Sequence, residues 1–144
     1  VFAVTHVLGL LLATFALSYV LPVLCSLIEG DGLWPAFLLS AAVTAAAGVL
    51  LVAATHRLRR ELKARDGFLL VTLGWVLLPA AAALPFLAIP GLSFSGAFFE
   101  AMSGLTTTGS TVLTGLDALQ PSLNFWRAWL QWFGGLGIIV MALA

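Results

Sequence analysis

Apolar residues run almost unbroken along this chain, and the polar positions gather in three short clusters. Crossing a bilayer takes about 20 mostly apolar residues. Four segments reach that length: Phe2 to Ile28, Leu33 to Thr55, Phe68 to Ile89, and Ser122 onward to Ala144. The pattern predicts four membrane-spanning helices. The clusters between them are "EGDG" at 29–32, a basic stretch around Arg57 to Arg65, and the hydroxyl- and glycine-rich "SGLTTTGSTVLTG" at 103–115. So short a connector as "EGDG" makes the first two spans an antiparallel hairpin. Pro22 is expected to kink the first helix, and Pro79 and Pro85 the third, where neighbouring helices can re-satisfy the freed carbonyls. "AAVTAAAG" in the second span is a small-residue face suited to close helix packing.

Composition agrees. Of 144 residues, 62% are hydrophobic and 8% charged, where a soluble domain carries roughly a quarter charged. The chain lacks the polar surface to face water on all sides, so its partner is the lipid bilayer. Its formal net charge is zero, and no nucleic-acid partner is implied. Cys25 is the only cysteine, which excludes an intrachain disulfide and a multi-cysteine metal site. His6 and His56 stand far apart in sequence, and no metal site is expected of them. Both ends of the chain lie in apolar sequence, from Val1 and into "GGLGIIVMALA". A piece of a longer protein is therefore expected.

Charge sets the orientation. Arg57, Arg59, Arg60, Lys63 and Arg65 crowd the connector between the second and third spans, while "EGDG" and the stretch from Pro90 to Asn124 carry no Lys or Arg. The positive-inside rule places the basic connector and the N-terminus in the cytoplasm and residues 90–124 outside. Arg127, near the outer end of the fourth span, either snorkels to the interface or pairs with a carboxylate.

The outer interval does not read as a plain loop. "FSGAFFEAMSGL", 94–105, is apolar but too short to cross, a length that suits a re-entrant half-helix. Ser93 or Ser95 is expected to cap its start and Gly104 to end it. Three consecutive threonines follow, Thr106 to Thr108, whose β-branching favours extended backbone. Gly109 can take positive φ. Extended backbone at membrane depth is tolerated only inside protein or lining water. Carbonyls and hydroxyls in such a place can replace the water around a cation, and the C-terminal end of the half-helix adds partial negative charge. The order span, half-helix, Thr/Gly strand, span is a helix–pore loop–helix unit.

Three stretches in order, "RDGFLLVTLGWVLLPAAAALPF", "AFFEAMSGLTTTGSTVL" and "FWRAWLQWFGGLGIIVMALA", strongly resemble the TrkH branch of the TrkH/KtrB potassium-transporter superfamily. The resemblance covers residues 65–144 closely, and the hairpin before it resembles that branch's extra N-terminal helix pair. It implies an all-α membrane protein in which residues 1–64 are the N-terminal hairpin and 65–144 the first of four helix–pore loop–helix repeats of a potassium-channel-like pseudo-tetramer. It further implies K⁺ as the transported ion, a homodimer of the full-length pore subunit in the bacterial inner membrane, and a cytosolic TrkA-type nucleotide-binding regulatory subunit. Gly109 matches the filter glycine. Thr107 and Thr108 are the implied ion-coordinating positions, and Ser110 and Thr111 continue the strand. One strand cannot encircle an ion, so a pore needs three further repeats or four copies of this chain. Passive conduction and symport with H⁺ or Na⁺ both fit this arrangement.

Other residues have two readings each. Glu100, inside the half-helix, is either an electrostatic attractor near the pore or half of a structural pair with Arg127 or with backbone donors behind the filter. The pair is favoured, because carboxylates at depth usually have partners. Asp117 is either a cation attractor at the outer vestibule or a solvated loop acid, and the solvated acid is favoured. Gly134, Gly135 and Gly137 are expected to let the fourth span approach the half-helix closely, with a hinge as the less favoured reading. Trp126, Trp129 and Trp132 are expected to form an interfacial belt and pack against the filter. Outside this family branch, the alternatives are a KtrB-like Na⁺-dependent subunit and a non-transporting membrane scaffold subunit. An intramembrane enzyme needs a nucleophile with a neighbouring base, and Ser103 and Ser110 have no nearby His or Lys in sequence.

Overall fold

The computed structural model describes residues 2–56 and 64–143, with side chains over 2–56 and 65–137. Arg57, Arg59, Arg60 and Lys63 of the basic connector lie outside the described residues. The protein is an all-α membrane protein. Three helical stretches, Phe2–Glu29, Trp34–Thr55 and Arg65–Ala88, are long and apolar enough to cross a bilayer. The fourth expected span is a helix over Pro121–Leu143, whose C-terminal end passes beyond the described side chains. Large apolar residues such as Leu17, Ile28, Leu39, Leu50 and Phe68 stand on the outside, which suits hydrocarbon rather than water as the surrounding medium.

The first span is broken where proline demands it. Helix α1 (Phe2–Phe15) gives way to a single 3₁₀ turn, Ala16–Tyr19, and α2 (Val20–Glu29) resumes the course. Pro22 has no N–H to offer the Ser18 carbonyl one turn earlier, and the break falls in that turn. After residues 30–33, α3 (Trp34–Thr55) returns antiparallel. The hairpin closes where Gly9 meets Gly48: a β-carbon at Gly48 would stand 2.6 Å from the Ala13 nitrogen. Fully helical backbones approach this closely only where side chains are absent. At its open end, His6 Nδ1 lies 3.1 Å from Thr55 Oγ1, so the fold brings His6 to the neighbour of His56.

The third span is α4 (Ala64–Ala82) followed by a 3₁₀ turn over Leu84–Ala88. Pro85 cannot donate to the Ala81 carbonyl, and Phe86 N–H goes to Ala83 at 3.1 Å instead of Ala82. Two carbonyls are thus left open, Ala82 buried and Ala81 partly so, and a buried unpaired one costs about 1–3 kcal/mol. Tyr19 Oη donates to the Ala81 carbonyl at 2.8 Å, and Trp126 Nε1 to the Ala82 carbonyl at 3.0 Å. The two rings that reach for them stack, with centroids 4.7 Å apart. Around them close Phe15, Phe37 and Phe86, and this is the core.

Trp126 departs from the interfacial role expected of it. It is 0% exposed and bonded to a buried carbonyl, so it is a core residue. Trp129 stacks on Phe125 and Trp132, and of the three tryptophans only Trp132 is exposed. Positions 123, 126 and 130 of this helix, spaced by three and four, face inward together, which takes Trp126 off the lipid side.

Candidate cation-coordinating loop

Helix α5 (Phe94–Leu105) has 12 residues, about 18 Å at helical rise and well short of a hydrocarbon core of about 30 Å. Ser93 caps it in extended conformation, its hydroxyl accepting from Gly96 N–H at 3.2 Å. Helix α6 (Pro121–Leu143) begins beside the "EGDG" turn. Asp31 Oδ2 accepts the Ser122 N–H at 3.0 Å, while Oδ1 accepts the Leu33 N–H at 3.1 Å and the Ser26 hydroxyl. Desolvation by burial works against ionisation of Asp31, but the hydrogen bonds from Ser122, Ser26 and Leu33 outweigh it and hold the carboxyl below the ordinary carboxylate range. A carboxylate from one loop thus caps a helix 91 residues later, with the charge sign that suits a helix N-terminus. "EGDG" read only as a turn does not reveal this.

Gly104 does not end α5. The helix runs through Leu105 and closes with two bonds, Thr107 N–H to the Gly104 carbonyl and Thr108 N–H to the Ser103 carbonyl, each 2.9 Å. This paired pattern is the Schellman ending, in which the left-handed position is normally glycine. Here it is Thr107, at φ 58°, the one non-glycine residue with positive φ among those described. A β-branched residue there is an outlier, and such positions gather at functional sites. Gly104 instead serves packing: a β-carbon on it would meet Leu130 Cβ at 2.9 Å. The expected run of extended threonines is correspondingly shorter. Thr106 and Thr107 form the turn, and irregular chain begins at Thr108.

The return segment folds back over α5. The Ser103 carbonyl accepts from Thr108 N–H at 2.9 Å and, more weakly, from Gly109 N–H at 3.4 Å. Its hydroxyl donates to the Ser110 carbonyl at 2.6 Å. One turn earlier, Glu100 Oε1 accepts the Thr111 hydroxyl at 2.6 Å and the Val112 N–H at 2.7 Å. Glu100 Oε2 meets Arg127 Nε at 3.1 Å. Glu100 is 3% exposed and satisfied on both oxygens. It pairs with Arg127 and with the backbone behind the loop, and Arg127 does not snorkel. Asp117 is exposed in a 3₁₀ turn over Leu116–Ala118.

Peptide geometry then orients the carbonyls. In a trans peptide the N–H and C=O point opposite ways. Thr108 and Gly109 aim their N–H groups at α5, so the carbonyls of Thr107 and Thr108 point away from it. No hydrogen bond from the described residues reaches the carbonyls of Thr107, Thr108 or Gly109. The Ser110 carbonyl is turned the other way, onto Ser103. Gly109 sits between the two orientations at φ 74°, a reversal open to glycine at no steric penalty. Residues 107 to 111 are all exposed in this chain.

Helix α6 backs the loop at one point. A β-carbon at Gly134 would overlap the Leu105 carbonyl oxygen. Gly135 would make only an ordinary contact, 3.8 Å from Thr107 Cγ2, and Gly137 none within 4 Å. Of the three glycines, Gly134 is the one the close approach requires.

The family model TrkH, a cation transport protein, matches residues 34–144. The chain belongs to the TrkH family. It is 47% identical to the Trk system potassium uptake protein TrkH of Salmonella typhimurium, over 99% of this chain and 30% of that protein. Against the protein of the same name from Halomonas elongata it is 43% identical over 98% of its length, again 30% of the relative. The crystal structure of the potassium transporter TrkH from Vibrio parahaemolyticus superposes with a TM-score of 0.92 at 44% identity, covering 99% of this chain and 31% of that one. The likeness to TrkH therefore runs through the hairpin, the half-helix and the loop. The chain spans about 30% of the length of the curated relatives it matches.

Proposed function

We propose that this chain is the first part of a pore-forming subunit for potassium uptake across the bacterial inner membrane. Residues 1–64 are the N-terminal hairpin, and 65–144 the first helix–pore loop–helix repeat. Its loop supplies one of four filter strands around a common axis in a pseudo-tetramer. The observation that carries this reading is the pair of outward, unbonded carbonyls of Thr107 and Thr108 at the C-terminal end of a half-helix. They are the groups that replace hydration water around K⁺, and the half-helix end adds partial negative charge beside them. Gly109 reverses the backbone after them, and Ser110 closes the strand against α5. Glu100 and Arg127 hold the loop from behind.

The relatives are Trk system potassium uptake proteins, and the same assembly is proposed here. The full-length subunit forms a homodimer and works with a cytosolic TrkA-type nucleotide-binding subunit. The N-terminus is cytoplasmic and the loop opens outward, as the basic connector directs. The chemistry is ion passage rather than catalysis. The test is complementation of a potassium-uptake-deficient bacterium by the full-length gene. Wild type restores growth at low K⁺. Gly109→Ser, which opposes positive φ, abolishes it at equal membrane abundance. Unimpaired growth with Gly109→Ser sinks the reading.

A further inference from the structure

We propose that Ser103 is the positioning residue that decides which loop carbonyls the ion meets, an assignment that rests on the filter reading above. Ser103 is 6% exposed, lies on the half-helix and offers no atom to the outer face of the loop. Both its oxygens are nonetheless committed to the loop. The carbonyl takes the N–H groups of Thr108 and Gly109, and the hydroxyl takes the Ser110 carbonyl at 2.6 Å.

The hydroxyl bond is unusual for its setting. Helical Ser and Thr hydroxyls ordinarily bond back to the carbonyl four residues earlier. Thr14, Ser40, Thr55 and Thr72 do so here. Ser103 instead reaches forward seven residues. It leaves a local bond unmade in order to hold a distant carbonyl.

The consequence concerns selection between ions. The unbonded row is the carbonyls of Thr107, Thr108 and Gly109, and it ends because Ser110 is turned back. Without the Ser103 hydroxyl, the Ser110 carbonyl loses its partner, and rotation of the peptide that joins Ser110 to Thr111 is free to turn it outward. The ion site then gains an ill-placed oxygen and a wider spread of geometries. Cavity size and the number of coordinating carbonyls are the quantities on which K⁺ over Na⁺ selectivity turns. Ser103 thus acts on selectivity through Ser110 without touching the ion.

The experiment uses the full-length protein, purified and reconstituted in liposomes, with K⁺ and Na⁺ fluxes measured separately. Ser103→Ala keeps a good helix former of nearly the same size. It is expected to lower the K⁺/Na⁺ flux ratio about fivefold, the equivalent of ~1 kcal/mol and of one net hydrogen bond. Ser103→Thr keeps the hydroxyl and is expected to hold the ratio within about twofold on the same scale. An unchanged ratio in Ser103→Ala overturns the assignment. So does an equal fall in both variants, because shape rather than the hydroxyl then matters. Should Ser103→Ala fail to fold, Ser103→Cys takes its place, since a thiol is only a weak donor. Its flux ratio is expected to fall in the same direction, and an unchanged ratio there overturns the assignment equally. Gly109→Ala in parallel separates the two levels. If it leaves flux and ratio untouched, the filter reading itself fails. If it abolishes K⁺ flux while Ser103→Ala changes nothing, only the role of Ser103 falls.

Discussion

Glu100 and Arg127 meet at 3.1 Å behind the loop, with side chains 1% and 15% exposed. The carboxylate that receives the guanidinium also holds Thr111 and Val112, so α5, α6 and the return segment share one buried charge. Removing one member of a buried pair strands the other. Arg127→Gln in the full-length protein is expected to lower stability by about 3–5 kcal/mol, nearer the lower figure because Arg127 keeps some solvent. Adding Glu100→Gln is expected to recover part of that loss. Denaturant unfolding in detergent checks it, and strictly additive losses contradict the pairing.

Gly134 and Gly137 lie three residues apart on α6 and face different demands. Only Gly134 is pressed against the Leu105 carbonyl. Gly134→Ala is expected to push α5 away and cost about 1–3 kcal/mol or more, with K⁺ transport impaired. Gly137→Ala meets open space and is expected to be neutral or to gain up to about 1 kcal/mol from helix propensity. Thermal midpoints and uptake of the two variants, measured side by side, decide. Equal behaviour defeats the argument.

Tyr19→Phe removes the donor to the Ala81 carbonyl and is expected to cost about 1–3 kcal/mol. The deficit exists because position 85 has no N–H. Combined with Pro85→Ala, which restores an N–H there, the same change is expected to cost less. A loss of equal size in both backgrounds shows that the hydroxyl does not answer the proline.

Asp31 makes stability depend on pH. Its folded carboxyl lies below the ordinary value of 3.8, so the native state favours the ionised form. The stabilisation is fully present above that ordinary value and is lost as pH falls through it towards the lower folded value. Asp31→Asn is therefore expected to be less stable than wild type at neutral pH by about 1 kcal/mol. The gap closes as both are acidified below pH 3.8. A gap independent of pH assigns the effect to shape rather than charge.

Much of this molecule is legible along the chain. The spans follow from runs of apolar residues, and the half-helix follows from a run too short to cross, capped by Ser93 as its sequence signals. The breaks at Pro22 and Pro85 follow from missing N–H groups, while α4 runs on through Pro79. The pairing of Glu100 with Arg127 is readable because a carboxylate at depth needs a partner and few cations lie near. Each of these is a local demand of covalent chemistry or of the solvent, and needs no knowledge of the fold.

What tertiary structure decided is which distant group answers each demand. Proline alone shows that the Ala81 carbonyl is open; only packing shows that Tyr19 closes it. Trp126 looks interfacial in sequence, but the rotation of α6 carries it into the core. Gly104 looks like a helix stop, yet its bare Cα is taken up by contact with Leu130, and Thr107 makes the turn. Asp31 caps α6, and Ser103 turns back Ser110, through bonds that no spacing rule predicts. The elements, their order and the oxygen-rich loop between them can be read along the chain. The third dimension determined which of those oxygens point outward, because a carbonyl's direction depends on where its neighbour's N–H finds a partner.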